Sequence, residues 1–190
     1  MKEAAMAETN EAIKQAFKDM LDGTSYDKIT VSALCKKLGI SRRTFYRHFE
    51  TLDDVVEALV YDDFIGPVRS IRATLPIEEI KSAGRLLVER SHKVFYEERK
   101  RYRKLLNYKG NMSLVETITR ETYQLNQEIY QDYTLAPDEK DFAAYFAAAS
   151  SAMIFAWWIT EREDIEPKRM AKLTYEWAFS HWNDIDRGKG

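Results

Sequence analysis

Apolar residues recur at three- and four-residue spacing along most of this chain, the period of a helix with one buried face. The first such stripe, Ala12, Ile13, Ala16, Phe17, Met20 and Leu21, predicts a helix from about Thr9 to Leu21, ended by Asp22-Gly23-Thr24. A second helix opens at Thr30 or Val31 with Val31, Leu34, Cys35 and Leu38 inward, and Gly39 stops it, because the residue past a helix end often needs positive φ. Ser41 can cap a short third helix, Arg42 to Phe49, whose inward positions are Phe45 and Phe49. Thr51 starts a fourth, with Val55, Val56, Leu59, Val60 and Phe64 inward and a break at Gly66-Pro67. Its acidic first turn, Asp53 and Asp54, suits the positive end of the helix dipole.

Beyond Pro67 the periodic segments lengthen, to about 77–106 with a bend near Glu97, then 112–133, 137–162 and 167–184. Pro137 and Pro167 fall near helix starts. With seven glycines and four prolines in 190 residues there are few breaks, and the expected class is all-α. The change in helix length places a boundary near residue 66, giving a small helical module over 1–65 and a larger helical domain over 66–190.

Charge changes this picture in one place. The chain is slightly acidic, at −2 net, yet residues 28–49 carry six lysines and arginines and no Asp or Glu, where the chain average would place on the order of four acids. A local electropositive face is the result. The single cysteine excludes an internal disulfide and fits a reducing compartment, and the N-terminal MKEAAMAETNEA has no apolar core of a secretory signal, so a cytoplasmic location is expected. Asn111-Met112-Ser113 matches a glycosylation sequon and is read as chance.

Two helices joined by a glycine turn inside a basic, acid-free window form a helix-turn-helix pattern, whose second helix can lie in the DNA major groove. Cys35, four residues before Gly39, supplies the small side chain needed where the helices cross, while Leu34, Leu38, Ile40 and Phe45 fill the seam. Arg42, Arg43, Thr44, Tyr46, Arg47 and His48 are left to point outward. Arginine forks match the acceptor edge of guanine, Thr can touch thymine methyls, and Tyr or His can donate to phosphate. Thr30, Ser32 and the start of the second helix can hold a phosphate, and Ser41 stands at the start of the third.

Ile29-Thr30-Val31, Leu34 to Ser41 and Thr44-Phe45-Tyr46-Arg47-His48-Phe49, followed by an acidic helix start, resemble the N-terminal domain of TetR-family transcriptional regulators over roughly residues 9–60. The resemblance implies a three-helix DNA-binding domain followed by a helical ligand-binding and dimerisation domain. It implies a homodimer on a near-palindromic double-stranded operator, usually a repressor, that leaves DNA when a small-molecule effector binds. By position, Arg42, Arg43, Thr44 and Tyr46 match base- and backbone-contacting residues of that family, and His48 a phosphate contact. Two positions depart from its pattern: Leu52 stands where a phosphate-contacting lysine is common, and Cys35 replaces the usual alanine. Leu52 is the one feature that points to the alternative, a helical ligand-binding or adaptor protein without operator binding.

Residues 142–159 are uncharged, which approaches a membrane span, but ten of them are Ala, Ser or Tyr and both flanks are charged, so no membrane role is expected. Ala143, Ala147 and Ser150 or Ser151 let another helix approach closely. Under the family analogy this helix and the last one, with Leu173, Trp177, Phe179 and Trp182, form a four-helix dimer interface. The same half is rich in aromatics, and Tyr96, Tyr123, Met153 and Trp157 are the candidates to line an effector pocket. The basic run Arg99 to Lys104 reads as a solvated helix end. Its three histidines, 48, 92 and 181, lie in no metal-ligand spacing, and the chain has no glycine-rich phosphate loop, so no enzyme activity, metal or cofactor is expected.

Overall fold

A computed structural model describes residues 2–74, 77–108, 113–131 and 133–179, and all regular structure among these residues is helical. In chain order the helices are α1 (Lys2–Gly23), α2 (Val31–Leu38), α3 (Arg42–Tyr46), α4 (Leu52–Val60), α5 (Gly66–Thr74), α6 (Ile77–Glu97), α7 (Arg99–Leu106), α8 (Leu114–Tyr130), α9 (Pro137–Glu161) and α10 (Pro167–Thr174). The predicted bend near Glu97 is the junction between α6 and α7. Residues 180–184 of the last predicted helix, with Trp182, lie outside the described residues, as do His181 and Asn111-Met112.

The start of the first helix and the break at Gly66-Pro67 need correction. The first helix begins seven residues earlier than Thr9, and Ala12 is exposed rather than part of the inward stripe. Gly66-Pro67 does not break the chain. Instead α4 passes through a wide π turn, Tyr61–Ile65, in which Gly66 N donates to Tyr61 O, and continues into α5. In a regular helix the ring of Pro67 would press on the carbonyl four residues before it, and widening the preceding turn accommodates the ring.

One apolar cluster runs through the molecule. Ile13, Phe17, Leu34, Phe45, Val55, Val56 and Val60 meet Phe95, Tyr102, Leu105, Phe155 and Trp158 without interruption. α8 lies along α9, where Ala143, Ala144, Ala147, Ala148 and Ala152 are buried, and the Asn126 amide donates to Ala144 O at 3.2 Å. Small residues let these two backbones approach closely. Among the described residues α9 is the one helix long and apolar enough to cross a membrane, and its alanine face is used against α8.

The basic run on α7 is not a free solvated end. Arg101 makes two bonds of 2.7 Å to the Asp22 carboxylate at the end of α1, and also pairs with Glu98. Lys104 donates to the carbonyls of Leu21 and Asp22 (3.0 Å), in the last turn of α1, and to that of Thr24 just past it (3.2 Å). From the other side of α7, Arg103 donates to Ile159 O at 3.1 and 2.8 Å and pairs with Glu163, beyond the end of α9. α7 thus ties the end of α1 to the end of α9.

Candidate nucleic-acid interface

The end of α2 shows why glycine stands at 39. Its φ is +68° and ψ 24°, a left-handed conformation that lets Ile40 N reach back to Cys35 O at 3.1 Å. A side-chain carbon added there would meet no atom within 4 Å, so the requirement is one of backbone conformation alone. Cys35 is buried in the cluster of α1, α2 and α4. After the turn, Ser41 caps α3 by accepting from Thr44 N at 3.0 Å. α3 has five residues, too few to be stable alone, and the fully buried Phe45 anchors it, with the Phe49 ring 6.1 Å away.

Arg42, Arg43, Tyr46 and Arg47 are exposed along α3 and its end. The Arg42 guanidinium donates to Tyr46 Oη at 3.2 Å and lies 5.8 Å from that ring's centre, so the two side chains form one unit. The other candidates are placed differently. Thr44 is half-buried, its hydroxyl 2.9 Å from that of Ser41. His48 is half-buried, with Nδ1 2.5 Å from Oδ1 of Asn10 on α1. Thr30 caps α2 by accepting from Ala33 N at 3.1 Å, with Ser32 exposed beside it, so both hydroxyls lie at the start of that helix. Lys37 reaches Asp19 on α1 at 3.6 Å, while Lys36 is exposed.

Acidic residues reappear just past α3, where Glu50 is exposed while Asp53 and Asp54 turn back into the fold. Asp54 accepts from Glu50 N and Thr51 N at 2.8 and 2.9 Å in a capping box, and Asp53 accepts from the Tyr26 hydroxyl. Burial, with the Asp53 carboxylate beside it, pushes the Tyr26 phenol well above its usual pKa. Leu52 is half-buried against the core, so the first turn of α4 offers an apolar contact where a lysine would offer charge.

The four residues expected to line an effector pocket do not converge. Tyr96 stacks on Trp158 at 5.8 Å, with the Arg99 guanidinium over the Tyr96 ring at 4.3 Å. Tyr123 bonds Asp141 and meets Tyr145 edge-on at 5.7 Å. Met153 and Trp157 are 58% and 44% exposed on the outer face of α9. His92, Tyr96, Trp158 and Thr174, by contrast, do come together. His92 Nε2 is 3.0 Å from the Thr174 hydroxyl, Nδ1 2.8 Å from Val88 O, and the ring 5.4 Å from Trp158. Burial lowers the His92 pKa.

Two protein-family models match this chain: bacterial regulatory proteins of the tetR family over residues 19–59, and the transcriptional regulator C-terminal region over residues 87–179. The chain belongs to the TetR family. Between them the two matches cover the helix-turn-helix and most of the helices after it. A TetR-family relative, the HTH-type dhaKLM operon transcriptional activator DhaS of Lactococcus lactis subsp. lactis (strain IL1403), is 32% identical over 56 residues. That match covers 30% of this chain and 30% of the relative. A solved structure titled dihydroxyacetone kinase operon activator DhaS has the same fold, with a TM-score of 0.64 at 18% identity over 93% of this chain and 97% of that one.

Two features escaped sequence reasoning. Asn10 lies on the first helix, far from the basic window, and nothing in its neighbours marks it. Phe142, Tyr145, Phe146, Met153 and Trp157 form an exposed stripe on α9, and Trp177 is 78% exposed beyond α10. Their three- and four-residue spacing was a usable signal, but the alanines of the same segment carry the period of a second face.

Proposed function

We propose that this TetR-family protein is a sequence-specific DNA-binding transcriptional regulator that acts as a homodimer in the cytoplasm. The observation that carries the reading is the exposed basic face of α3, Arg42, Arg43, Tyr46 and Arg47, held out by the buried Phe45 after a left-handed Gly39 turn. In this reading α3 enters the major groove, with Arg42, Arg43, Thr44 and Tyr46 toward bases and backbone. Thr30, Ser32, Ser41, Arg47 and His48 serve the phosphates. Residues 1–65 form the DNA-binding domain and residues 66–190 the effector-binding and dimerisation domain.

The exposed stripe of α9 together with Trp177 supports the homodimer, since a large apolar surface left by a helical domain is the usual mark of an association site. A two-fold dimer presents two α3 helices to half-sites about 34–36 Å apart, hence a near-palindromic operator. A small-molecule effector would shift the population toward a dimer whose helices no longer match that spacing. The grouping of His92, Tyr96, Trp158 and Thr174 is a better candidate for its site than Met153 or Trp157, which lie on the stripe. Release from the operator by an effector makes the protein a repressor. The activator titles of both DhaS relatives favour a second reading, in which the bound dimer activates.

Selection of bound sequences from a random duplex library tests the core of the proposal. A palindromic site bound with steep salt dependence is expected, and failure to enrich any sequence would remove it. Arg43→Ala should weaken binding to that site by about 1–3 kcal/mol and relax its sequence preference. A reporter fused to the recovered site separates repressor from activator.

A further inference from the structure

The contact between His48 and Asn10 joins the end of α3 to α1 across 38 residues of sequence. An amide oxygen only accepts, so the imidazole nitrogen facing it, Nδ1, must carry a proton. That fixes both the ring's orientation and its tautomer: a neutral ring in this state has a bare lone pair on Nε2. Among the described residues Nε2 of His48 has no hydrogen-bond partner. One turn further along α1, Lys14 is committed elsewhere, pairing with Glu11 at 2.5 Å and with Asp62. On the other side the ring is followed by Glu50, whose backbone N–H is held by Asp54.

On the reading that α3 meets DNA, we propose that Asn10 is a positioning residue for operator binding. It holds the His48 ring by Nδ1 so that Nε2 is presented to a phosphate of the DNA backbone. A phosphate oxygen needs a donor, so the bound ring carries protons on both nitrogens, one shared with Asn10 and one with the phosphate. The half-buried ring is then a preformed contact, oriented before DNA arrives rather than ordered by it. Because the contact is to phosphate, its effect is independent of base sequence.

The test uses the full-length protein, the duplex recovered by selection and a random-sequence duplex of equal length, with binding followed by fluorescence anisotropy. Asn10→Ala should weaken binding to both duplexes by about tenfold, the scale of one charge-assisted hydrogen bond. His48→Ala should do the same, and the double variant should bind no more weakly than His48→Ala alone. Ring nitrogen NMR should find the His48 proton on Nδ1 in the free protein and on both nitrogens in the complex. Asn10→Ala should move the free ring's proton to Nε2. Asn10→Asp keeps an acceptor and should keep the Nδ1–H tautomer, which provides a second variant if removal of the side chain lowers the thermal midpoint. Unchanged affinity in Asn10→Ala, losses that multiply in the double variant, or an Nε2–H tautomer in the free protein would each overturn the role of Asn10 while operator binding by the wild type stands. If the wild type selects no duplex, the DNA reading falls and this inference with it.

Discussion

Arg101 and Asp22 are the place to test whether α7 ties the two halves together, because their contact is short, forked and made between elements 79 residues apart. The perturbation is a double-mutant cycle of Arg101→Ala, Asp22→Ala and the pair. Two parallel bonds of 2.7 Å would be worth several kcal/mol if buried, but the Asp22 side chain is 52% exposed, so screening by water brings the expected coupling down to about 1 kcal/mol. Arg101 also keeps Glu98, and Lys104 still caps α1, so neither single variant should unfold the chain. The bond from Arg101 holds the Asp22 carboxyl below its ordinary pKa of 3.8. A depressed carboxyl contributes stability that is full above its unfolded value and is lost as pH falls through the lower folded value. Urea denaturation should therefore give a coupling of about 1 kcal/mol at neutral pH. It should be smaller at about 0.5 M salt and should fade below about pH 4 as Asp22 protonates. Zero coupling at neutral pH and low salt, or coupling that survives both salt and acid, would refute the strut.

Three further outcomes follow from other parts of the fold. Gly39→Ala forces a Cβ into a left-handed conformation without any steric neighbour, so it should cost about 1–2 kcal/mol in urea denaturation, from backbone strain alone. Burial lowers the His92 pKa, so the folded state favours the neutral ring. Stability should then be full above the ordinary histidine value of 6.5 and fall as pH drops below it, a slope that His92→Gln should remove in thermal melts across that range. Met153→Asp places a charge at the centre of the exposed stripe and should convert a dimer into monomers in sedimentation at micromolar concentration, while far-ultraviolet dichroism stays helical.

Local rules made the helix-turn-helix legible. Gly39 needed positive φ, Ser41 was a capping residue at a helix start, and Phe45 could only be an inward anchor in a helix of basic neighbours. Each of these depends on a few consecutive residues and a fixed period, and the structure has them so. Gly66-Pro67 misled because breaker residues were weighed without the wide turn that accommodates them. The effector candidates were chosen by residue type, and type does not say which side of α9 faces inward. Ala143 and Ala147 took the inner face, leaving Met153 and Trp157 outside.

By itself, then, the sequence determined the all-helical class, the bihelical unit and the charge of its outer face, since period, capping and local charge are properties of neighbouring residues. Only the tertiary structure decided that Asn10 meets His48, that Arg101 meets Asp22, and that α9 spends its alanines on α8 and its aromatics on the surface. Those pairings join residues 38 and 79 positions apart. Which distant helices meet is set by how the whole set of apolar faces packs together, and no window of the chain contains that information.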